Sequence, residues 1–341
     1  MDIKLSVCIP TYNFADFIGQ TLDSIISQAS PDVEIVVVDG ASSDNTRQIV
    51  KGYQRKFSQL TLFCRDKNVG VDKDLAKTVE LAKGKYCWFL SSDDVLKSGA
   101  IKRIIKETEN DCDIYLCNRT ECDFKLRPLR NRLWLSKDIK SRVFNIADKG
   151  ELLSYLDEAY SIGALFSYCS SIVFKRKRWN QLSYNKKFDG TGYAHVNTLF
   201  SFNNDSNRLK YIKDALVLCR GDNDSFLEQG KVKRFLMDID GYSLLASNLF
   251  DDSNIKNAFL KVIRREMKFH YLIRIRSLTE SSQLRDDIEK KLLKCGYSLM
   301  SLRFIRIFSS LKWIVSIFEY IKKRIKRCIP AFYSFNKSNI N

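Results

Sequence analysis

Four times between residues 5 and 91 a short apolar run gives way to a stretch with helical spacing, and this alternation restricts the chain more than any other feature. Leu5–Pro10 (LSVCIP) reads as a buried strand, and Phe14, Phe17, Ile18, Leu22, Ile25 and Ile26 then recur along one helical face. VEIVVVD at 33–39 is a continuous β-branched run of the kind found in parallel sheets covered on both faces, and a second helix is expected from Thr46. LTLFCR at 60–65 and YCWFLS at 86–91 are further strands, with a helix over Asp72–Ala82 between them. The pattern predicts an α/β fold with a mostly parallel, Rossmann-like sheet flanked by helices.

Further along, a helix is expected over Gly99–Glu109 and strands over Asp113–Cys117, 171–176 and 211–220, with a glycine turn at 188–192 leading into a helix. Residues 124–150 are basic and without clear period, and read as an insertion or flexible loop over the site. From Gly230 the pattern becomes helical. The expected division is therefore 1–230, made of halves 1–110 and 111–230, followed by a helical basic extension over 231–341. Of the 341 residues, 57 are Lys or Arg and 40 Asp or Glu, a net charge of +17. Residues 1–230 carry only +4 of this and 231–341 carry +13. A near-neutral body with a basic tail points to a local anionic partner rather than to nucleic acid bound along the whole chain.

Residues 299–327 mix Leu302, Phe304, Ile305, Phe308, Leu311, Trp313, Ile314, Ile317, Phe318 and Ile321 with eight basic side chains and the single acid Glu319. Their longest uncharged run, Trp313–Phe318, is far short of the roughly 20 residues that span a bilayer. An interfacial amphipathic helix on an anionic membrane is the expectation; the alternatives are a helix packed on the rest of the protein and an RNA-facing helix. The ten cysteines include no Cys-x-x-Cys pair, which argues against a zinc framework and for free thiols in a reducing compartment. The start, MDIKLSVCIP, lacks the long apolar stretch of a secretory signal, so a cytoplasmic location is expected.

Polar clusters follow the strands, at the sheet edge where α/β proteins bind ligands. They are Pro10, Thr11 and Tyr12; Asp39 with Ser43 and Asp44; Arg65 with Asn68 and Gly70; and Ser91, Ser92, Asp93 and Asp94. Asp44 would equally serve as a cap for the helix from Thr46. Adjacent carboxylates repel unless a cation or hydrogen bonds compensate. Asp93 and Asp94 are thus candidate ligands for Mg²⁺ or Mn²⁺ carrying a diphosphate, with a loop-capping pair as the alternative. No Gly-rich dinucleotide fingerprint or Walker loop is present.

VCIPTYNFADFIGQTLDSI, VEIVVVDGASSDNT, NVGVDKD and AKGKYCWFLSSDD together resemble the nucleotide-sugar half of family 2 glycosyltransferases with the GT-A fold, over about residues 3–110. The resemblance implies that Pro10, Thr11 and Tyr12 line the nucleotide pocket and that Asp39 binds the nucleobase. It also implies that Asp93 and Asp94 form the metal and donor-sugar element, with Asp94 the direct ligand. FDGTGYAHVNTLF and VLCRGDNDSF are similar to the abequosyltransferase-like subgroup. That implies a CDP-linked deoxysugar donor, with UDP and GDP the other nucleotides, and an acceptor on undecaprenyl diphosphate at the cytoplasmic face of the inner membrane. It implies inversion at the anomeric carbon. The Glu-Asp pair of many family members is replaced here by Phe188-Asp189-Gly190, leaving Asp189 and His195 as candidate bases. Arg220 is a candidate for the diphosphate and Asp222 for a sugar hydroxyl, with Asp224 beside them, or all three serve only their loop. A nucleotidyltransferase and a basic nucleic-acid-binding protein are the rival functions.

Overall fold

The computed structural model describes residues 2–202, 206–223 and 230–310. They fall into two compact units, one holding the described residues up to 223 with Asp240–Glu266, the other holding 230–239 and 267–310. The first unit opens with β1 (Leu5–Thr11), α1 (Ala15–Ile26), β2 (Val33–Asp39), α2 (Thr46–Gln54), β3 (Leu60–Cys64), α3 (Val71–Leu81) and β4 (Tyr86–Phe89). β5 (Val95–Leu96), α4 (Ala100–Thr108), β6 (Ile114–Cys122), β7 (Pro128–Arg132), β8 (Arg142–Asn145) and α5 (Lys149–Glu158) follow. β9 (Ile172–Lys175), α6 (Arg176–Asn180), α7 (Ala194–Phe200) and β10 (Arg208–Cys219) complete the sheet.

All seven residues of β2 are buried, as its unbroken apolar run requires of a strand covered on both faces. Its one acid, Glu34, is accommodated because Ser6 Oγ donates to it at 2.6 Å and the Lys83 and Gly84 amides donate at 2.5 and 3.2 Å. A buried carboxylate met by three donors avoids the cost of an unpartnered charge. Trp88, fully buried at the centre of β4, donates its indole N–H to the Ser170 carbonyl at 2.8 Å.

The sheet is mixed, which corrects the expectation of a mostly parallel one. Its ten strands lie in the order β3-β2-β1-β4-β9-β6-β10-β5, with β7 beside β6 and β8 beside β10. β3, β2, β1 and β4 are parallel, but β9 enters antiparallel to both β4 and β6, and β5, β7 and β8 are antiparallel to their neighbours. Residues 124–150 are likewise no plain loop, since they supply β7 and β8. β7 is an outer strand with four of its five residues exposed, so no apolar run marks it in the sequence. The two-residue β5 is too short to have a period.

The remaining helices are α8 (Lys231–Leu249), α9 (Ser253–Glu266), α10 (Phe269–Leu278), α11 (Ser282–Lys294) and α12 (Leu299–Ser310). Within the second unit, buried Glu289 of α11 accepts from Arg276 of α10 at 3.2 Å and from Arg306 Nε of α12 at 2.8 Å. One carboxylate therefore ties three helices. Among the described residues no helix is long and apolar enough to cross a membrane. The part of 299–327 beyond Ser310 lies outside the described residues. The nine cysteines of the described residues are free.

Gly84, at the entry to β4, lies against β1: a Cβ there would sit 2.6 Å from Ser6 Oγ, 2.7 Å from Ser6 N and 2.9 Å from the Leu5 carbonyl carbon. Backbone atoms cannot rotate away as a flexible side chain does. Gly84→Ala is expected to destabilise the protein by about 1–3 kcal/mol, read as a lower urea midpoint; an unchanged midpoint contradicts this packing.

Candidate active site

Parallel pairing aligns the carboxyl ends of the first three strands. Thr11 lies opposite Asp39, Asp39 lies opposite Cys64, and the Arg65 amide donates to the Asp39 carbonyl at 2.8 Å. Asp39 is fully buried; its Oδ2 accepts from Arg47 Nε at 2.5 Å and from the Ser42 amide at 3.1 Å. Asp39 Oδ1 and the neighbouring Thr11 hydroxyl have no hydrogen-bond partner, an unusual pair of orphans at adjacent strand ends. Tyr12 beside them is 43% exposed, while the Pro10 carbonyl accepts from Ser92 Oγ at 2.6 Å. The edge thus holds a buried unused acceptor and a buried unused hydroxyl beside an exposed ring.

Arg65 lies at the same edge but is held, with Nε 2.9 Å from Asp74 Oδ1. Gly70 takes φ of +89° at the entry to α3, where glycine is at ease, and its amide donates to Asn68 at 2.9 Å. Asp44 follows its capping alternative: Oδ1 accepts from the Thr46 amide and Oδ2 from the Ala15 amide, each at 3.0 Å, so it joins the starts of α1 and α2.

The two adjacent aspartates after β4 have different surroundings. Asp94 accepts from Tyr168 OH and Ser170 Oγ, each at 2.6 Å, and from the Arg220 amide at 3.2 Å. Burial, and then the charge of Asp93, push its pKa up to about 7 against the pull of those donors. Asp93 is the more exposed, with Oδ1 accepting from Ser91 Oγ at 2.5 Å and Oδ2 from Asn223 at 2.8 Å. The Arg220 guanidinium is engaged by protein acceptors: the carbonyls of Asp93 and Phe124 and the Gln20 side chain, at 3.1, 2.7 and 2.6 Å. Asp222 is exposed with φ of +56°, and Asp224 lies outside the described residues. Among the described residues no group of three or more His, Cys, Asp or Glu is arranged to hold a metal ion.

Asp189 is exposed. It accepts from Tyr184 OH at 2.6 Å and pairs with Lys73 at 2.9 Å, and the Tyr184 hydrogen bond, followed by Lys73, holds its pKa below the usual carboxylate value. His195 sits in α7 with only 4% exposure, its Nε2 2.9 Å from the Phe166 carbonyl and its ring edge-on to Phe89. The carbonyl can only accept, so Nε2 carries the proton and Nδ1 is left without a partner.

The sequence reading did not find Tyr168, Ser170, Asn223 or Asp72. Asp72 lies inside NVGVDKD, yet it acts 120 residues away: Oδ2 accepts from the Gly192 amide at 2.9 Å and Oδ1 from the Ala194 amide at 3.1 Å. With Lys73 on Asp189 and Asp74 on Arg65, three consecutive residues of α3 hold the 189–194 loop and Arg65, the residue after β3. No local pattern betrays such contacts.

Residues 6–196 match the profile of "Glycosyl transferase family 2". The chain is 33% identical over 332 residues to the abequosyltransferase RfbV of Salmonella typhimurium, covering 95% of this chain and 99% of that protein. A poly(ribitol-phosphate) beta-glucosyltransferase of Bacillus spizizenii is 36% identical over 118 residues, only 19% of its own length. Among solved structures, TarS 1–349 of S. aureus superposes with a TM-score of 0.62 at 18% identity, covering 94% of this chain and 92% of that one. The mannosyltransferase PcManGT of Pyrobaculum calidifontis, solved with GDP-Man and Mn²⁺, gives 0.53 at 16% identity, covering 92% and 84%.

The buried imidazole makes stability depend on pH. Burial holds the His195 pKa at about 4, below the roughly 6.5 of an exposed histidine. The unfolded chain therefore takes up a proton that the folded one refuses, so this contribution is complete above pH 6.5 and declines toward pH 4. Between pH 7.5 and pH 5 the wild type is expected to lose about 2 kcal/mol more than His195→Gln, measured by urea denaturation at both pH values. Parallel losses in the two proteins would refute the assignment.

Proposed function

The chain belongs to glycosyltransferase family 2 and is a glycosyltransferase that draws on a nucleotide-sugar donor, and from that membership we propose how its residues divide the work. The nucleoside diphosphate sits at the carboxyl edge of β1 and β2, its base taking hydrogen bonds at Asp39. The observation that supports this is the pair of orphans there, Asp39 Oδ1 and Thr11 Oγ1: both are buried, and a base that displaced the residues covering them would satisfy them. Tyr12, exposed beside them, supplies a stacking face.

Mn²⁺ or Mg²⁺ fits Asp93 better than Asp94. Asp94 accepts three protein hydrogen bonds, two of them on Oδ2, and is the more deeply buried, whereas Asp93 accepts only one on each oxygen. A hard divalent ion needs only one or two such carboxylates when diphosphate supplies the rest. When bound, it would neutralise charge on the departing nucleoside diphosphate. Asp94 then serves as the brace that fixes the turn.

On the acceptor side, Asp189 is the base. It is exposed, ionised by its Tyr184 and Lys73 contacts, and opens the loop into α7. His195 is too enclosed to meet an acceptor hydroxyl. The hydroxyl oxygen forms its bond to the anomeric carbon, the bond from that carbon to the phosphate oxygen breaks, and the proton passes to Asp189. Attack opposite the leaving group inverts the centre. Full-length similarity to an abequosyltransferase supports a CDP-linked deoxysugar as donor and a saccharide on undecaprenyl diphosphate as acceptor, in assembly of an O-antigen or related surface polysaccharide. That acceptor would place the enzyme at the cytoplasmic face of the inner membrane, met by basic residues of 231–341, of which Asp240–Glu266 packs with the first unit.

Thermal denaturation with CDP, UDP and GDP, each with Mn²⁺, tests the donor site. One nucleotide is expected to stabilise by about 3 kcal/mol at one hundred times its dissociation constant, and Asp39→Ala should abolish the effect. Asp93→Asn should remove only the Mn²⁺-dependent part, while Asp94→Asn should lower the melting temperature of the free protein. Stabilisation by no nucleotide would defeat the donor-site reading. For the base, Asp189→Asn is expected to lose transfer at least a hundredfold while binding the same nucleotide unchanged; retained transfer would remove Asp189 from that role.

A further inference from the structure

The helix α12 is amphipathic in the wrong sense for a helix facing water. Leu302, Ile305 and Ser309 are its buried residues. On the other side Leu299 is 68% exposed, Met300 79%, Phe304 43% and Ile307 59%. At 100° per residue these four, with half-buried Phe308, share one arc, and the only charge among them is Arg303. Phe269, 44% exposed at the start of α10, extends the arc: its ring lies 5.5 Å from that of Phe304, which in turn lies 4.3 Å from Phe308. Folding has thus left a largely apolar side of the helix uncovered among the described residues.

Water-facing patches of this kind are uncommon on monomeric proteins unless something binds them. The surrounding charge selects the occupant. α12 contains no acidic residue, Arg303 stands exposed within the apolar arc, and exposed Lys268 precedes Phe269. Apolar side chains with basic ones at the same level match the acyl boundary and headgroups of an anionic bilayer.

We propose that the face formed by Phe269, Met300, Phe304 and Ile307, with Arg303 and Lys268, inserts into the surface of an anionic membrane. This rests on, and deepens, the reading that the acceptor is lipid-linked; it moves the contact from the linear segment 299–327 to a surface assembled from two helices. The long apolar side chains enter the acyl boundary, and the basic groups meet lipid phosphates.

The experiment uses the full-length protein with 100-nm vesicles of phosphatidylcholine alone or with about 30% phosphatidylglycerol. Flotation is expected only with the anionic vesicles, at least tenfold weaker for Met300→Ser/Phe304→Ser/Ile307→Ser and about threefold weaker for Arg303→Gln. Melting temperatures in lipid-free buffer should be unchanged. No flotation, or flotation that the triple variant leaves intact, overturns the proposal. So does a melting temperature that falls by several degrees in the variant, since the face would then be covered by the chain itself. A solution mass that drops from dimer to monomer in the variant, or salt-sensitive RNA binding lost with it, assigns the face to another occupant and also overturns it. Nucleotide stabilisation is measured on the same samples: its absence would count against the donor-site reading alone.

Discussion

The carboxylate of Asp94 is the point on which the arrangement of the site depends. Taking a charged carboxylate out of water costs several kcal/mol unless donors compensate, and here the donors come from separate parts of the chain. Tyr168 and Ser170 precede β9, and the Arg220 amide follows β10. Meeting Asp94 therefore brings the end of β4, the entry to β9 and the exit of β10 to one place. Ser170 also accepts from the Ser91 amide at 2.9 Å, and Thr21 of α1 donates to the Ser92 and Asp94 carbonyls, each at 2.8 Å. The turn that carries Asp93 is fixed from several directions before any ligand arrives.

A rigid turn is what differential stabilisation of a departing diphosphate calls for, because groups already in place need not reorganise when charge develops. The acceptor side follows similar logic. Asp72 meets two amides of the loop that leads into α7, and burial raises its pKa despite those amides. Its neighbours Lys73 and Asp74 face Asp189 and Arg65. The first turn of α3 thus meets both the 189–194 loop and Arg65 through three successive side chains.

How much of this is legible in sequence differs by element, for physical reasons. β1, β2 and β4 stand out because strands covered on both faces need near-unbroken apolar runs, and Asp39, Asp93 and Asp94 stand out because they lie at or just beyond the ends of those runs. β7 escapes notice because its side chains are exposed, and the antiparallel entry of β9 has no local signature because strand direction is set by the path of the whole chain. Asp72 and Asp94 illustrate the limit for side chains. Their residue types are visible in motifs, but whether a carboxylate holds a ligand or the protein depends on partners 74 to 126 residues away. The net charge was similarly opaque until divided along the chain, and even then the uncovered side of α12 becomes apparent only when buried and exposed positions are told apart.

The central proposal is a division of labour in which Asp93 would meet the metal and diphosphate while Asp94 stays bound by Tyr168, Ser170 and Arg220. Crystals grown with the stabilising nucleoside diphosphate and Mn²⁺, measured at the manganese absorption edge, test it directly. The account predicts an anomalous peak bridging the Asp93 carboxylate and the diphosphate, the base hydrogen-bonded to Asp39, and the Asp94 hydrogen bonds unbroken. A peak on Asp94 with Tyr168 and Ser170 displaced, or a nucleotide bound away from Asp39, would contradict it.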